Sequence, residues 1–279
     1  MRAAFFVFAL IAPGAVQVWA RRVRRGIFWV ALMLASLPTV RWTPWLVLLP
    51  WLAQAVDAAL LPEKKTDDRE AVIFGFIANG ILIGSALLIR SLWVEMFDAP
   101  TGSMIPALQA NDHFAIDKTV HHARRGDIVV FTHPHQADVK LVKRVIAVGG
   151  DTIELRDGVV VLNGQPVPRQ PVPGDCKYED FSEVEGRWEQ RGCEDFLEQL
   201  DGRRYHVLYD PGVSGARSAA PVSVPAGTFY VLGDNRDNSM DSRFFGTVPE
   251  ANLLGRATYI YWSSGRGGIR WSRLQKRVP

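Results

Sequence analysis

The chain has 279 residues, 48% of them hydrophobic and 22% charged, with a formal net charge of +3. The basic excess lies in the first 97 residues, on the flanks of uncharged runs, while the remainder is close to neutral. A basic balance made by membrane flanks excludes nucleic acid as the expected partner. The two cysteines, Cys176 and Cys193, have no paired histidines near them, which argues against zinc.

In chain order, Ala3–Ala20 is an uncharged apolar run closed by Arg21, Arg22, Arg24 and Arg25. A cleavable signal peptide would put Val18 and Ala20 before its cut, but arginines directly after a cut resist export, so a retained membrane segment is expected. Gly26–Val40 and Trp42–Val56 follow, separated by Arg41. Each reaches only ~22 Å as a helix against a hydrocarbon core of ~30 Å, so a tight hairpin or re-entrant segment is expected, made irregular by Pro38, Pro44 and Pro50. Asp57 lies at the end of the second run, and Glu63–Glu70 is a mixed-charge loop. Ala71–Ile89 is the cleanest span. Both basic loops belong on the cytoplasmic side, which requires an even number of crossings between them and carries everything after Arg90 outward. The expectation is a membrane region over 1–97, with four spans or alternatively two, and an ectodomain over 98–279.

The stretch APTGSMIPAL (Ala99–Leu108) comes directly after the last span and holds Ser103 between Pro100 and Pro106. From Phe114 onward the chain breaks into short β-rich runs. Ile128–Phe131, Val139–Val148, Thr152–Leu155, Val159–Leu162, Tyr205–Tyr209, Phe229–Leu232 and Ala257–Trp262 read as strands. Asp157-Gly158 and Asn163-Gly164 are hairpin turn pairs. With no long amphipathic helix, this predicts an all-β ectodomain. Between about 166 and 222 the alternation lapses into an acidic inserted subdomain that carries both cysteines. On the outer side of a membrane these are disulfide candidates, and closing such a loop would stabilise by about 3 kcal/mol. The last residues, with Arg256, Arg266, Arg270, Arg273, Lys276 and Arg277 beside Ile269, Trp271 and Leu274, suit either an anionic lipid surface or a solvated tail.

A serine nucleophile needs a base. His113, His121, His122, His133, His135 and His206 lie in no triad context, and no G-x-S-x-G elbow surrounds Ser103. Lysine is the alternative, as in Ser–Lys variants of the triad. In VKLVKRVIAV (Val139–Val148), alternation puts Leu141, Lys143, Val145 and Ala147 on one face and Lys140 with Arg144 on the other. Lys143 thus lies in an apolar row. Burial disfavours its ammonium, and work near neutrality needs a pKa lowered by roughly 3 from about 10.4. GDNRDNSMDSR (Gly233–Arg243) places Asp237, Ser239 and Asp241 at alternate positions, but Ser242 stands where a calcium loop needs glycine and Val248 where it needs the closing glutamate. Its expected use is support: Asp241 paired with Arg243, and Ser239 hydrogen-bonded to the lysine amine.

These three stretches, with NDHF (Asn111–Phe114), RGDIVVF (Arg125–Phe131) and VKRVIAVGGD (Val142–Asp151), resemble bacterial type I signal peptidases. Those are membrane-anchored Ser–Lys endopeptidases that remove signal peptides from exported proteins. The resemblance implies N-terminal transmembrane helices followed by a catalytic domain of antiparallel β-sheets on the periplasmic side of the inner membrane. It makes Ser103 the nucleophile and Lys143 the general base, with the Ser103 N–H and Thr101 hydroxyl at the oxyanion. It gives Ser239, Asp241 and Arg243 supporting roles. Ala99, Pro100, Met104, Leu108, Leu141 and Val142, with Phe114 at the edge, would line small apolar pockets. Expected partners are secretory preproteins with small residues before the cut and the lipid bilayer, and no cofactor is implied. Two other readings use the same residues: a specialised relative maturing one dedicated exported substrate, and a non-catalytic membrane-anchored binding module.

Overall fold

The structure, a computed structural model of the chain, describes residues 23–36, 48–59, 73, 76–85, 92–182, 185–212 and 217–279. The chain divides into two compact units, Met1–Val94 and Glu95–Pro279.

The first unit is helical where described, with α1 Val23–Ser36, α2 Leu48–Ala59 and a further helical stretch over 76–85. α1 packs on α2, and Asp57 makes a polar contact between them, buried and accepting from Trp29 Nε1 at 2.8 Å and from the Arg25 guanidinium. Asp57, at the end of the second apolar run, is thus enclosed between the two helices by these donors. Ile27, Phe28, Leu52, Val56, Phe76 and Ile77 are exposed. No helix among the described residues is long and apolar enough to cross a membrane. The expected run Ala3–Ala20 and both ends of Ala71–Ile89 lie outside the described residues.

The second unit is all-β, in three antiparallel sheets. Its strands are β1 Val94–Ala99, β2 Asp112–Asp117, β3 Ile128–His133, β4 Gln136–Val148, β5 Thr152–Arg156, β6 Val159–Leu162, β7 Gln165–Pro166 and β8 Arg169–Pro171. They continue with β9 Cys176–Ser182, β10 Arg187–Leu200, β11 Arg203–Tyr209, β12 Ala219–Ser223, β13 Thr228–Leu232, β14 Val248–Pro249, β15 Leu253–Gly265 and β16 Gly268–Ile269. The large sheet runs β1-β2-β15-β3-β4-β13-β14, with β16 on β15. Register shifts interrupt β15 against both β2 and β3. Such bulges sharpen strand bending and twist, and the sheet curves until the β1–β2 loop touches β4 across the two intervening strands, β15 and β3.

A second sheet runs β12-β5-β6-β7. Its two tight hairpins are closed by the residue pairs singled out in the sequence. Asp157 and Gly158 have φ of 48° and 79°, Asn163 and Gly164 of 52° and 77°, the left-handed pairs that two-residue hairpin loops require. The face of β4 does not alternate to its end: Val145 packs with Leu141 and Phe131, whereas Ile146 and Ala147 both enter the cluster of Ile153 and Tyr230. A bulge opposite Tyr230–Val231 absorbs the extra residue, so Ala147 leaves the row it was expected to share with Lys143.

The described residues within 166–222 form strands where the alternation was expected to lapse. β10 pairs through its first half with β9 and through its second with β11 and β8. Cys176 and Cys193 are register partners on β9 and β10 and are disulfide-bonded. The C-terminal residues form no free basic tail either. Arg273 is buried on Asp112, and Arg270 donates to Ala110 O at 2.9 Å and lies over the Trp188 ring.

Replacing both cysteines by serine releases a cross-link spanning 17 residues. A loss of about 3 kcal/mol should lower the apparent melting temperature of the full chain's β unit in detergent by about 6–12 °C. Tryptophan fluorescence during heating measures it, and an unchanged transition would show that the bond adds nothing.

Candidate active site

Ser103 sits in a 3-10 turn, Gly102–Met104, within the loop joining β1 to β2. Pro100 restricts the chain entering this turn, and the turn is then fixed from outside. Ile105 N donates to Gly102 O, Asn235 Nδ2 to the same oxygen, and Asn235 N to Ser103 O, each at 3.1 Å. Beneath it Met104, Leu108 and Phe114 are completely buried with Ile116 and Ile260. Ser103 itself keeps 7% of its surface exposed, and Thr101 beside it is exposed.

Lys143 reaches this turn from β4. Its Nζ donates to Ser103 Oγ at 2.8 Å and to Val142 O at 2.8 Å, and the residue is 3% exposed. Thr101 Oγ1 donates to Ser103 Oγ at 3.3 Å. Burial lowers the lysine pKa, and the nearby Asp241 and Asp234 carboxylates raise it in part, leaving it at about 8. Roughly a tenth of the molecules then hold a neutral amine at pH 7. In that state the hydrogen bond reverses, with the Ser103 hydroxyl donating to the amine lone pair, which is the arrangement a general base needs.

Asp241 and Arg243 pair as expected. Arg243 Nε donates to Asp241 Oδ1 at 2.8 Å and Nη2 to Oδ2 at 2.9 Å, and Gly233 N also donates to Oδ2. The expected bond between Ser239 and Lys143 does not form. Ser239 Oγ is buried without a hydrogen-bond partner among the described residues and is pressed onto the Gly233 backbone. A Cβ on Gly233 would lie 2.2 Å from that oxygen and 2.6 Å from Ser103 O. The glycine thus lets Ser239 and the nucleophile turn close on each other.

Of the residues expected at substrate pockets, Ala99, Met104, Leu108 and Phe114 are closed into the core and form a floor rather than open walls. Pro100 is exposed, and Leu141 and Val142 are half-buried. Three further groups lie under the site without an assigned role in the sequence reading. Arg144 clamps Asp234 through two bonds of 2.7 Å and stacks over Tyr205, and Arg236 clamps Glu198 with both partners 1% exposed. Asn235 holds the nucleophile turn. The density of polar residues in GDNRDNSMDSR was the available signal for Asp234, Asn235 and Arg236; nothing in the sequence pointed to Glu198.

A serine in hydrogen-bond contact with a buried, pKa-lowered lysine is the geometry that acyl transfer by a serine hydrolase requires. The family model for signal peptidase, peptidase S26, matches residues 71–262. Signal peptidase I of Leptolyngbya laminosa is 32% identical over 78% of this chain and 92% of its own length. That of Aquifex aeolicus is 34% identical over 66% and 81%, and that of Pseudomonas aeruginosa 29% identical over 63% and 68%. The chain belongs to the signal peptidase family, peptidase S26, and is a serine endopeptidase that cleaves signal peptides.

The lysine makes the pH dependence testable. Turnover should rise as pH increases through about 8 and level off above it, as the amine loses its proton. The folded-state pKa lies below the unfolded value, so the unfolded chain binds more protons between about 8 and 10.5, and stability contributed by this group rises with pH across that window. Lys143→Met should therefore raise the melting temperature at pH 7 while abolishing cleavage. A melting temperature equal to or below wild type would contradict a buried, costly ammonium.

Proposed function

We propose that Ser103 and Lys143 are the nucleophile and general base of signal-peptide cleavage. The contact of 2.8 Å between Lys143 Nζ and Ser103 Oγ, in a buried setting, carries this reading. Ser103 Oγ attacks the scissile carbonyl while Lys143 accepts its proton. The oxyanion is held by the Ser103 N–H and by Thr101 Oγ1, which turns from Ser103 Oγ to the new charge. Lys143 then protonates the leaving amine. The acyl ester formed on Ser103 is hydrolysed by water, with Lys143 again taking the proton. Asp241 with Arg243 holds the adjoining loop, and Ser239 packs it against the turn.

Substrate residues before the cut rest on Pro100, Leu141 and Val142 above the floor of Ala99, Met104, Leu108 and Phe114. A rigid apolar floor admits small side chains and rejects large ones by overlap. The helical unit, with its exposed Ile27, Phe28, Phe76 and Ile77, belongs to a multi-pass membrane region over 1–97 whose side chains face lipid. The catalytic domain over 98–279, with its subdomain at about 166–222, works on the periplasmic face of the inner membrane. Exposed Trp262 and Trp271, at 40% and 72%, together with Ile269, suit its resting on the bilayer surface.

Purified full-length enzyme in detergent, incubated with a preprotein bearing alanine-type residues before its cut, tests the dyad. Ser103→Ala and Lys143→Ala should each abolish cleavage. Thr101→Ala should lower kcat by about 10²–10³ and Thr101→Ser should retain most of it, since the hydroxyl donor is kept. Cleavage by Ser103→Ala at the wild-type rate would remove the assignment.

A further inference from the structure

β9 comes from the acidic insertion, which the cleavage chemistry above does not use. Alternation turns Tyr178 and Asp180 to its buried side. Tyr178 packs with Ile105 of the nucleophile loop and with Leu208, beside the disulfide. Two residues on, the Asp180 carboxylate lies over the nucleophile turn itself. A Cβ built on Gly102 would fall 2.4 Å from Asp180 Oδ1 and 2.7 Å from Oδ2, so the carboxylate rests on the Cα of the residue before Ser103. Its oxygens accept from Phe181 N at 2.9 Å and from Asn238 Nδ2 at 2.7 Å. Asn238 directly precedes Ser239. Asp180 is 6% exposed, forms no ion pair among the described residues, and acts on Arg191 only as a nearby charge. Burying a carboxylate on two neutral donors is costly, and a hydrophobic residue on β9 would pack there at lower cost.

We propose that Asp180 is a positioning residue for the Ser103–Lys143 reaction. Its carboxylate seats the nucleophile turn at Gly102 and ties it, through Asn238, to the Ser239 loop. The disulfide-linked insertion is thereby a working part of the active site. This rests on the dyad reading given above. Asp180 acts through shape and hydrogen bonding, since the charges that act on Lys143 are those of Asp241 and Asp234. Gly102 does not have a left-handed φ, so alanine is permitted there by the backbone and opposed by the Asp180 carboxylate.

The test uses the full-length enzyme in detergent, with melting curves recorded for every variant. Asp180→Ala should lower kcat by about tenfold or more with KM within about twofold, the size of effect that small misplacement of reacting groups produces. The pH at which turnover rises should stay where it is in wild type. Asp180→Asn, which keeps the volume and an acceptor, should recover most of the rate. Gly102→Ala should be severely impaired alone and faster when combined with Asp180→Ala, because the added methyl then has room. Wild-type kcat in Asp180→Ala overturns the proposal, and so does a Gly102→Ala defect that Asp180→Ala fails to relieve. If Asp180→Ala does not fold, Gly102→Ala combined with Asp180→Ser, whose shorter side chain leaves room for the methyl, decides the same point, the proposal requiring relief in the double variant. Undiminished cleavage by Ser103→Ala would instead defeat the dyad reading, so the two failures are distinct.

Discussion

The hydrogen bond between Lys143 Nζ and Ser103 Oγ makes two opposed demands on the protein around it. The lysine must be dry enough to lose its proton near neutral pH, because a hydrated ammonium would keep its ordinary pKa near 10.4 and accept nothing. The serine must still meet a peptide arriving from solvent. The fold reconciles these by bringing the groups from different directions. Lys143 lies within the core of β4, covered on both sides, while Ser103 rides at the tip of the β1–β2 loop with a small part of its surface open. The curvature of the large sheet, with its bulges at β15, is what lets loop and strand meet.

A dry site also has to dispose of its carboxylates. Asp241 and Asp234 lie close enough to hold the lysine proton on, and unopposed they would cancel much of the benefit of burial. Each is instead clamped by its own guanidinium, Asp241 by Arg243 and Asp234 by Arg144. An arginine paired in two hydrogen bonds offsets the carboxylate's field where a lone acid would not. Both carboxylates still raise the lysine pKa, and desolvation outweighs them, so that it settles near 8. The polar box after β13 thus holds its carboxylates in fixed pairs beside the lysine, and Arg236 on Glu198 repeats the pairing one layer further out.

Much of this was legible in the sequence because it is local. Strand alternation located β3, β4, β5, β6, β11, β13 and β15, and the Asp-Gly and Asn-Gly pairs adopt the left-handed turns their chemistry favours. Lys143 could be singled out as the one cation in an apolar row. The rest depends on distant pairings. Arg144 meets Asp234 across 90 positions and Arg236 meets Glu198 across 38, and no local pattern announces either. β9 and β10 escaped because charged residues dominate them and hide the alternating Tyr178, Trp188 and Phe196. Ser239 was expected on the lysine because its type and position suited that bond. Its actual place is set by Gly233, whose missing side chain draws the hydroxyl against the backbone.

Glycine serves the site twice by the same physical means. At Gly233 the absent Cβ admits Ser239 from one side, and at Gly102 it admits Asp180 from another. In both places a polar side chain lies where an alanine methyl would stand, at Gly102 on the residue before Ser103 and at Gly233 on a backbone that abuts Ser103 O. The nucleophile is therefore gripped through its main chain, leaving its side chain to exchange partners among lysine, substrate and Thr101. A grip on the backbone suits a residue that must form and break a covalent bond in each turnover. The supports never touch the reacting oxygen, so the chemistry at that oxygen need not disturb them.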